Sequence, residues 1–150
     1  MNNLSNIDKK IKELNRKRAS TDDLNALGDL YLRKGDKKLA IEQFYKAAKE
    51  ISYTQKNKAV AIYKKILSIS PNETNALEEI INVFSKSRLV GEQIKYLLLL
   101  SKLYQNKGDL KKANSIFRKI QELDPKNNDA EVFFSRGKLN VSRRNTQSRD

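Results

Sequence analysis

The residues best suited to chemistry are two pairs of adjacent carboxylates, Asp22–Asp23 and Glu78–Glu79. Acid–base catalysis by two carboxylates requires both groups to be held against the same reacting bond. Successive side chains on a helix point about 100° apart, so neither pair can converge in that way if its segment is helical. Acidic residues also stabilise the first turn of a helix through its dipole. We therefore interpret both pairs as helix-start signals and predict no catalytic residues.

The residue types that are absent narrow the function further. The 150-residue chain has no His and no Cys, which excludes a thiolate nucleophile, an imidazole base and a zinc finger. Its serines therefore lack the usual partner base, and its five glycines are isolated instead of forming a phosphate-binding loop. The sequence predicts a protein that is not an enzyme and has no catalytic, cofactor-binding or metal site.

Length and composition indicate one mostly helical domain. A chain of this length can bury about 70% of the surface that its unfolded form exposes. Only two Pro and five Gly accompany 33% charged residues. Residues 1–20 lack the apolar run of a signal peptide, and the longest apolar run, residues 96–100, is far shorter than a membrane span. These features predict a soluble, cytoplasmic protein.

An internal repeat places the candidate residues on helices. Shifting the sequence by 73 residues superposes Leu30–Ala40 on Leu103–Ala113, with Lys, Gly and Asp recurring in place. Gly35 and its counterpart in the second copy can adopt the left-handed conformation that ends a helix, and the Asp that follows each can cap the next helix. A second register, shifted by 54 residues, superposes residues 59–71 on residues 113–125. The repeat predicts tight helical hairpins.

These spacings resemble the tetratricopeptide repeat, a helix–turn–helix unit of about 34 residues with Leu, Gly, Tyr, Ala, Phe and Pro at fixed positions. The resemblance covers residues 21–140. It implies an all-α protein: a right-handed superhelical α-solenoid of tetratricopeptide-like hairpins, with about seven to eight helices, some of them shared between repeats. The matching positions are Leu24, Leu27, Gly28, Tyr31, Ala40, Phe44 and Ala47; Leu77, Ile80, Ile81 and Phe84; and Leu97, Leu100, Ser101, Tyr104, Ala113, Phe117, Ile120 and Pro125.

The spacing of the small-residue position departs from a regular array. Its occupants are Ala40, Ala59, Gln93 and Ala113, separated by 19, 34 and 20 residues. A short step followed by a long one predicts that one helix serves two hairpins, at residues 37–54 and again at residues 90–106. Loss of a helix is the competing interpretation. The predicted organisation is an N-terminal amphipathic capping helix (1–20), modules 21–71 and 74–125, a half-repeat 128–140, and a disordered basic tail 141–150.

Both ends of the array carry apolar residues that need a partner. Four apolar residues between Leu4 and Leu14 form a stripe on an otherwise charged N-terminal helix. This helix would either cap the first hairpin or pair with another chain. At the other end Phe133 and Phe134 are adjacent, so they cannot both face the same way on a helix, and one would be available to a partner.

The resemblance implies a non-catalytic scaffold or adaptor for another protein, in which the first helix of each hairpin lines a concave groove. Members that bind the carboxylate end of chaperones carry Lys and Asn where this chain has Asn25 and Asp29, so a chaperone partner is not expected. Amides and cations would instead hold an extended, acidic peptide by charge-assisted hydrogen bonds. The groove positions carried over are Asp22, Asn25, Asp29, Arg33, Asn75, Glu78, Asn82, Lys86, Lys95, Lys102, Asn106 and Arg136, with Asn82, Lys95, Lys102 and Arg136 as the predicted cluster.

The net charge of +13 leaves two other functions open. One is a basic accessory factor on RNA, the ribosome or an anionic surface. Exposed aromatics among basic residues would support it, and only Tyr45, Tyr53 and Tyr96 lie outside the predicted packing positions and the C-terminal pair. Sequence-specific recognition is therefore not expected, whereas non-specific attraction of anions stays open. The other function is a structural subunit of a larger assembly that self-associates through the N-terminal helix.

Overall fold

The computed structural model describes residues 3–16 and 18–147, with side chains up to Gly137, and these residues form helices without any strand. The all-α class and the number of helices predicted from the sequence are confirmed. None of the described helices is long and apolar enough to cross a membrane. In chain order they are α1 (Asn3–Leu14), α2 (Thr21–Lys34), α3 (Lys37–Ile51), α4 (Lys56–Ile69), α5 (Thr74–Lys86), α6 (Val90–Asn106), α7 (Leu110–Leu123) and α8 (Asn128–Gln147).

The chain divides into two compact units, where the sequence predicted one domain. The N-terminal unit, Met1–Ser87, holds α1 to α5, and the C-terminal unit, Arg88–Asp150, holds α6 to α8. The sequence placed a module boundary between residues 71 and 74. In the structure the helix that follows this point, α5, packs against α4 within the N-terminal unit. The sequence also predicted a hairpin of α5 and α6. Because α5 belongs to one unit and α6 to the other, this hairpin stays a prediction.

The first hairpin joins α2 and α3 through the predicted glycine turn. Gly35 ends α2 in the left-handed conformation, with φ at 89°. The carboxylate of Asp36 then accepts a hydrogen bond from the backbone N–H of Leu39 at 3.0 Å and so caps α3. Within the hairpin Gly28 lies directly against the ring of the fully buried Phe44. Helix α3 packs against both α2 and α4, as expected of a helix shared by two hairpins.

The N-terminal helix α1 covers the outer side of α2. Its two buried residues, Ile7 and Ile11, form one apolar cluster with Leu27 and Leu30 of α2. The Lys34 ammonium of α2 donates to the Asp8 carboxylate at 2.6 Å. This hydrogen bond and the charge of Asp8 raise the pKa of Lys34. Most of the apolar stripe of α1 is therefore used inside the chain.

The C-terminal unit contains a hairpin of α6 and α7 with the same glycine turn and aspartate cap, but with different packing residues. Gly108 adopts a φ of 74°, and the carboxylate of Asp109 accepts a hydrogen bond from the N–H of Lys112 at 3.1 Å, which caps α7. Ser101 occupies the position that Gly28 holds in the first hairpin. Its hydroxyl is buried and donates to the carbonyl of Leu98 at 2.8 Å, so the larger residue brings no unpaired polar group into the core.

Helix α8 is longer than the predicted half-repeat. The sequence predicted helix to residue 140 and disorder from residue 141, but the backbone of α8 continues to Gln147. Residues 138–147 contain neither Pro nor Gly, so nothing in that stretch ends a helix. The last three residues of the predicted tail lie outside the described residues.

Candidate functional site

A groove of about 740 Å³ lies in the C-terminal unit, between α6, α7 and α8. We call it the C-terminal groove. On α6 its wall follows one helix face, from Leu98 through Lys102 to Gln105, at the spacing of three to four residues that brings side chains into line. The facing wall is the equivalent stripe of α8, from Asp129 to Arg136. The hairpin and the helix that follows it therefore place two predicted groove residues, Lys102 and Arg136, in one cavity.

The floor of the C-terminal groove is aromatic. Phe117 of α7 is buried, and its ring stacks on Phe133 of α8 with centroids 4.2 Å apart and planes 21° apart. Phe134 meets Phe133 edge to face, with centroids 5.3 Å apart. The sequence predicted that one of the two adjacent phenylalanines would be left for a partner. Instead both are half-buried and both line the groove.

The rim of the groove exposes large aliphatic side chains. Leu99 is 47% exposed, Leu110 is 62% exposed and Val132 is 40% exposed. Scattered apolar residues are common on protein surfaces, but Leu99, Leu110 and Val132 border one cavity with an aromatic floor. A concave apolar surface with a few polar groups is the usual form of a binding site.

The charges at the rim are mostly positive. Lys102 and Arg136 are exposed, and within the described residues neither has a carboxylate within 4 Å. Asp129 is the acidic residue of the lining. The C-terminal groove can thus hold an apolar side chain against its floor and a carboxylate at its rim, where a charge-assisted hydrogen bond is available.

The other two predicted groove residues of α6 lie outside this cavity. Lys95 is exposed two turns before Lys102, about 10 Å along the helix axis. Its ammonium lies 6.0 Å from the centroid of the Tyr96 ring. Asn106 is exposed at the last residue of α6 and does not line the groove. Lys95 is therefore placed to extend the positive rim, and Asn106 is not.

In the N-terminal unit the predicted groove residues Asn25 and Asp29 bind a lysine that the sequence analysis missed. The Lys65 ammonium of α4 donates to Asn25 Oδ1 at 3.1 Å and to the two Asp29 oxygens at 2.9 and 3.1 Å. It also lies 4.9 Å from the centroid of the Phe44 ring. The i, i+4 spacing of Asn25 and Asp29 showed that they share a face. Nothing local to α2 indicated a partner 36 to 40 residues away.

Another acidic residue of this face is also neutralised within the unit. The Lys58 ammonium pairs with Asp22 at 2.7 Å. Two acidic side chains of α2, Asp22 and Asp29, are thus paired with two lysines of α4, Lys58 and Lys65. The α2 face thus has its charges satisfied internally, unlike the rim of the C-terminal groove.

Two further predicted residues, Arg33 and Asn82, line separate cavities of the N-terminal unit. Arg33 borders an open groove of about 740 Å³ between α1 and α2. Asn82 borders a smaller cleft of about 300 Å³ between α3, α4 and α5. The structure therefore distributes these candidate residues over several surfaces. Within the described residues no three Asp or Glu side chains come together as metal ligands would.

Comparison with known proteins identifies the hairpins. A family model for the tetratricopeptide repeat matches residues 24–51 and 94–127, which cover the α2–α3 and α6–α7 hairpins. Among solved structures, the chain is similar to the C-terminal part of a tetratricopeptide repeat-containing protein from Cytophaga hutchinsonii. The identity is 17%, the TM-score is 0.39, and the match covers 87% of this chain and 79% of that chain. No curated protein matches the chain. The α2–α3 and α6–α7 hairpins, at residues 24–51 and 94–127, are thus matched as tetratricopeptide repeats.

Proposed function

We propose that the chain is a non-catalytic adaptor that binds an extended acidic peptide segment in the C-terminal groove. Tetratricopeptide repeats are in general modules for interaction between proteins. The observation that carries the finer proposal is a pair of cations, Lys102 and Arg136, that have no carboxylate partner within the described residues and lie beside an aromatic floor. The ligand class is therefore a segment that combines carboxylates with at least one large apolar side chain.

The apolar part of the groove supplies affinity, and the charges supply selectivity. Burial of a Leu or Phe side chain from a ligand contributes about 1.5–3 kcal/mol relative to exposure. Exposed cations add less, but they favour an acidic segment over a basic one and speed encounter. Asp129 works against this preference at one edge, so we place the ligand carboxylates at the opposite end, toward Lys102 and Arg136.

The internal ion pairs of α2 argue for this groove over the N-terminal face. A peptide carboxylate approaching Asn25 or Asp29 would have to displace them from Lys65. Once the hydrogen bonds between Lys65 and Asp29 were broken, the negative charge of Asp29 would repel the peptide carboxylate. No such exchange is needed at Lys102 or Arg136. We therefore assign the acidic ligand to the C-terminal unit alone.

Selection from a random linear peptide library on the immobilised chain tests the proposal. The enriched peptides should carry Asp or Glu together with Leu, Ile, Phe or Trp. Titration calorimetry on an enriched peptide should then show that the double variant Lys102→Glu, Arg136→Glu binds at least about tenfold more weakly, a loss of about 1.4 kcal/mol. Leu110→Ser should weaken binding through the apolar rim without touching a charge.

The matched control is Lys111→Glu, Lys119→Glu, which makes the same charge change at exposed positions of α7 that do not line the groove. This variant should bind within about twofold of the wild type, apart from a salt-dependent change in association rate. Equal losses in both double variants would show that net charge alone attracts the peptide. Enrichment of basic peptides would contradict the proposal directly.

For α1 we propose a capping role within the chain rather than a joint between chains. Ile7 and Ile11 are already buried against Leu27 and Leu30, whereas Leu4 remains exposed. The lysines of α1 are exposed, so α1 gives the first hairpin a polar outer surface. Light scattering should therefore give the mass of a monomer for the whole chain.

A further inference from the structure

A second cavity of the N-terminal unit gathers positive charge around an exposed ring. The cleft of about 300 Å³ between α3, α4 and α5 is lined by Lys49 near the end of α3, Lys56 at the start of α4 and Lys86 at the end of α5. Tyr53, in the turn between α3 and α4, stands beside them. We call this cavity the lysine cleft. It lies in a different unit from the C-terminal groove, so the two surfaces can be tested independently.

The three lysines of the cleft have no carboxylate partner in the part of the chain that the structure describes. Within the described residues none of them has a carboxylate oxygen within 4 Å, although Glu79 is part of the lining. Other lysines of the same unit do form such pairs: Lys34 with Asp8, Lys46 with Glu42, Lys58 with Asp22, and Lys65 with Asp29. Three like charges brought together without partners repel one another, and an anion would relieve that repulsion.

Tyr53 is the aromatic side chain with large exposure among the described residues, at 70%. Its ring is nevertheless held in position. The Lys86 ammonium lies 4.4 Å from the ring centroid and donates a hydrogen bond to the Tyr53 hydroxyl at 3.0 Å. The turn therefore presents an aromatic face to solvent, oriented by Lys86.

We propose that the lysine cleft binds single-stranded nucleic acid, with a base stacked on Tyr53 and backbone phosphates on Lys49, Lys56 and Lys86. An oriented aromatic ring amid lysines is the combination that non-specific single-strand binders use. Duplex is disfavoured because its bases are already stacked and cannot reach the ring. The exposed amide of Asn82 and the hydroxyl of Ser52 offer further hydrogen bonds without imposing one base identity.

The ring decides between nucleic acid and an acidic peptide as the occupant. Carboxylates would use the lysines but gain nothing from the stacking face of Tyr53. A base can stack on Tyr53, and its exocyclic amino group can donate to the Glu79 carboxylate. The cleft volume is at the lower end of the range for small-molecule sites, which suits a single base in the cleft while the neighbouring phosphates contact the lysines at its edge.

Fluorescence anisotropy with a labelled oligocytidylate of about eight nucleotides, whose bases carry the amino group and whose length is within the known site sizes, tests this assignment on the whole chain. Tyr53→Ala should weaken binding at least about fivefold, whereas Tyr53→Phe should stay within about twofold of the wild type, because it keeps the ring and the Lys86 ammonium against it and loses only the hydrogen bond to the hydroxyl. Changing Lys49, Lys56 and Lys86 together to Gln should weaken binding. It should also make the slope of log K against log salt shallower by about 2, because each of the three lost phosphate contacts contributes about 0.7 to that slope. Far-ultraviolet circular dichroism confirms that each variant is folded.

The control for overall charge changes three other exposed lysines of the same unit, Lys12, Lys38 and Lys64, to Gln. This variant should lose much less affinity than the cleft variant. The proposal is overturned if Tyr53→Ala binds the oligonucleotide like the wild type, if the two triple variants are equally weakened, or if a duplex of the same sequence binds as tightly. It is also overturned if the cleft lysines support binding of an oligoglutamate peptide but not of the oligonucleotide.

Discussion

Replacing Gly28 by Ala probes the close approach of α2 and α3 on which the first hairpin depends. A Cβ atom at this position would lie 2.5 Å from Cε1, 2.6 Å from Cδ1 and 2.8 Å from Cζ of the Phe44 ring. All three distances are far inside van der Waals contact. Phe44 is fully buried, so the ring cannot swing away without moving its neighbours. The two helices must therefore separate, or the ring must leave its rotamer.

The magnitude follows from two opposing effects. Overpacking of a core costs about 1–3 kcal/mol, and three ring atoms in conflict place this case near the upper end. Ala is favoured over Gly in a helix interior by about 1 kcal/mol. The net expectation is a loss of about 2 kcal/mol in the free energy of unfolding, measured by urea denaturation followed by circular dichroism at the helix band.

Two companion variants make the reasoning refutable. Gly91 lies in the first turn of α6. Apart from its chain neighbours and the adjacent backbone of α6, no heavy atom would lie within 4 Å of a Cβ added there. Gly91→Ala should therefore be neutral or stabilising by up to about 1 kcal/mol. In a Phe44→Leu background, Gly28→Ala should cost less than in the wild type, because the smaller side chain removes the ring. Wild-type stability in Gly28→Ala, or equal effects at Gly28 and Gly91, would refute the close-approach argument.

The remaining predictions concern the cap, the internal ion pair and alkaline pH. Ile11→Ala should lower the free energy of unfolding by about 2 kcal/mol, the lower end for a buried Ile, without changing the mass seen by light scattering. Lys65→Met should cost no more than about 1 kcal/mol, since Lys65 and Asp29 are 41% and 49% exposed, and a larger loss in urea denaturation would contradict this. Burial raises the pKa of Tyr63 from 10.0 to about 12. Its neutral form therefore stabilises the fold fully below pH 10, and this contribution is lost as the pH rises toward 12. Alkaline unfolding curves of Tyr63→Phe should be correspondingly flatter in that window.

The local turns were the part of the fold that the sequence predicted best. Gly35 and Gly108 both take positive φ values, and Asp36 and Asp109 both cap the helix that follows. These features depend on the conformations of a few consecutive residues, so residue type is sufficient to predict them. The repeat of this local pattern was also enough to indicate the resemblance of these hairpins to the tetratricopeptide repeat.

The candidate site was predictable only in part because its contacts connect distant residues. Lys102 and Arg136 follow from the helix face and the repeat register. The pairing of Lys65 with Asp29 depends on how α4 lies against α2, and the stacking of Phe133 on Phe117 depends on how α8 meets α7. Periodicity says which face a residue occupies but not which side chain lies opposite. Packing of one helix on another decides that.

Amide chemical shifts of the isotope-labelled chain, recorded during titration with an enriched acidic peptide, test the assignment of the ligand to the C-terminal groove most directly. The largest changes should fall on Lys102, Phe133 and Arg136, and they should disappear in the double variant Lys102→Glu, Arg136→Glu. Changes centred instead on Asp29 and Lys65 would place the ligand on the N-terminal face and contradict the proposed function.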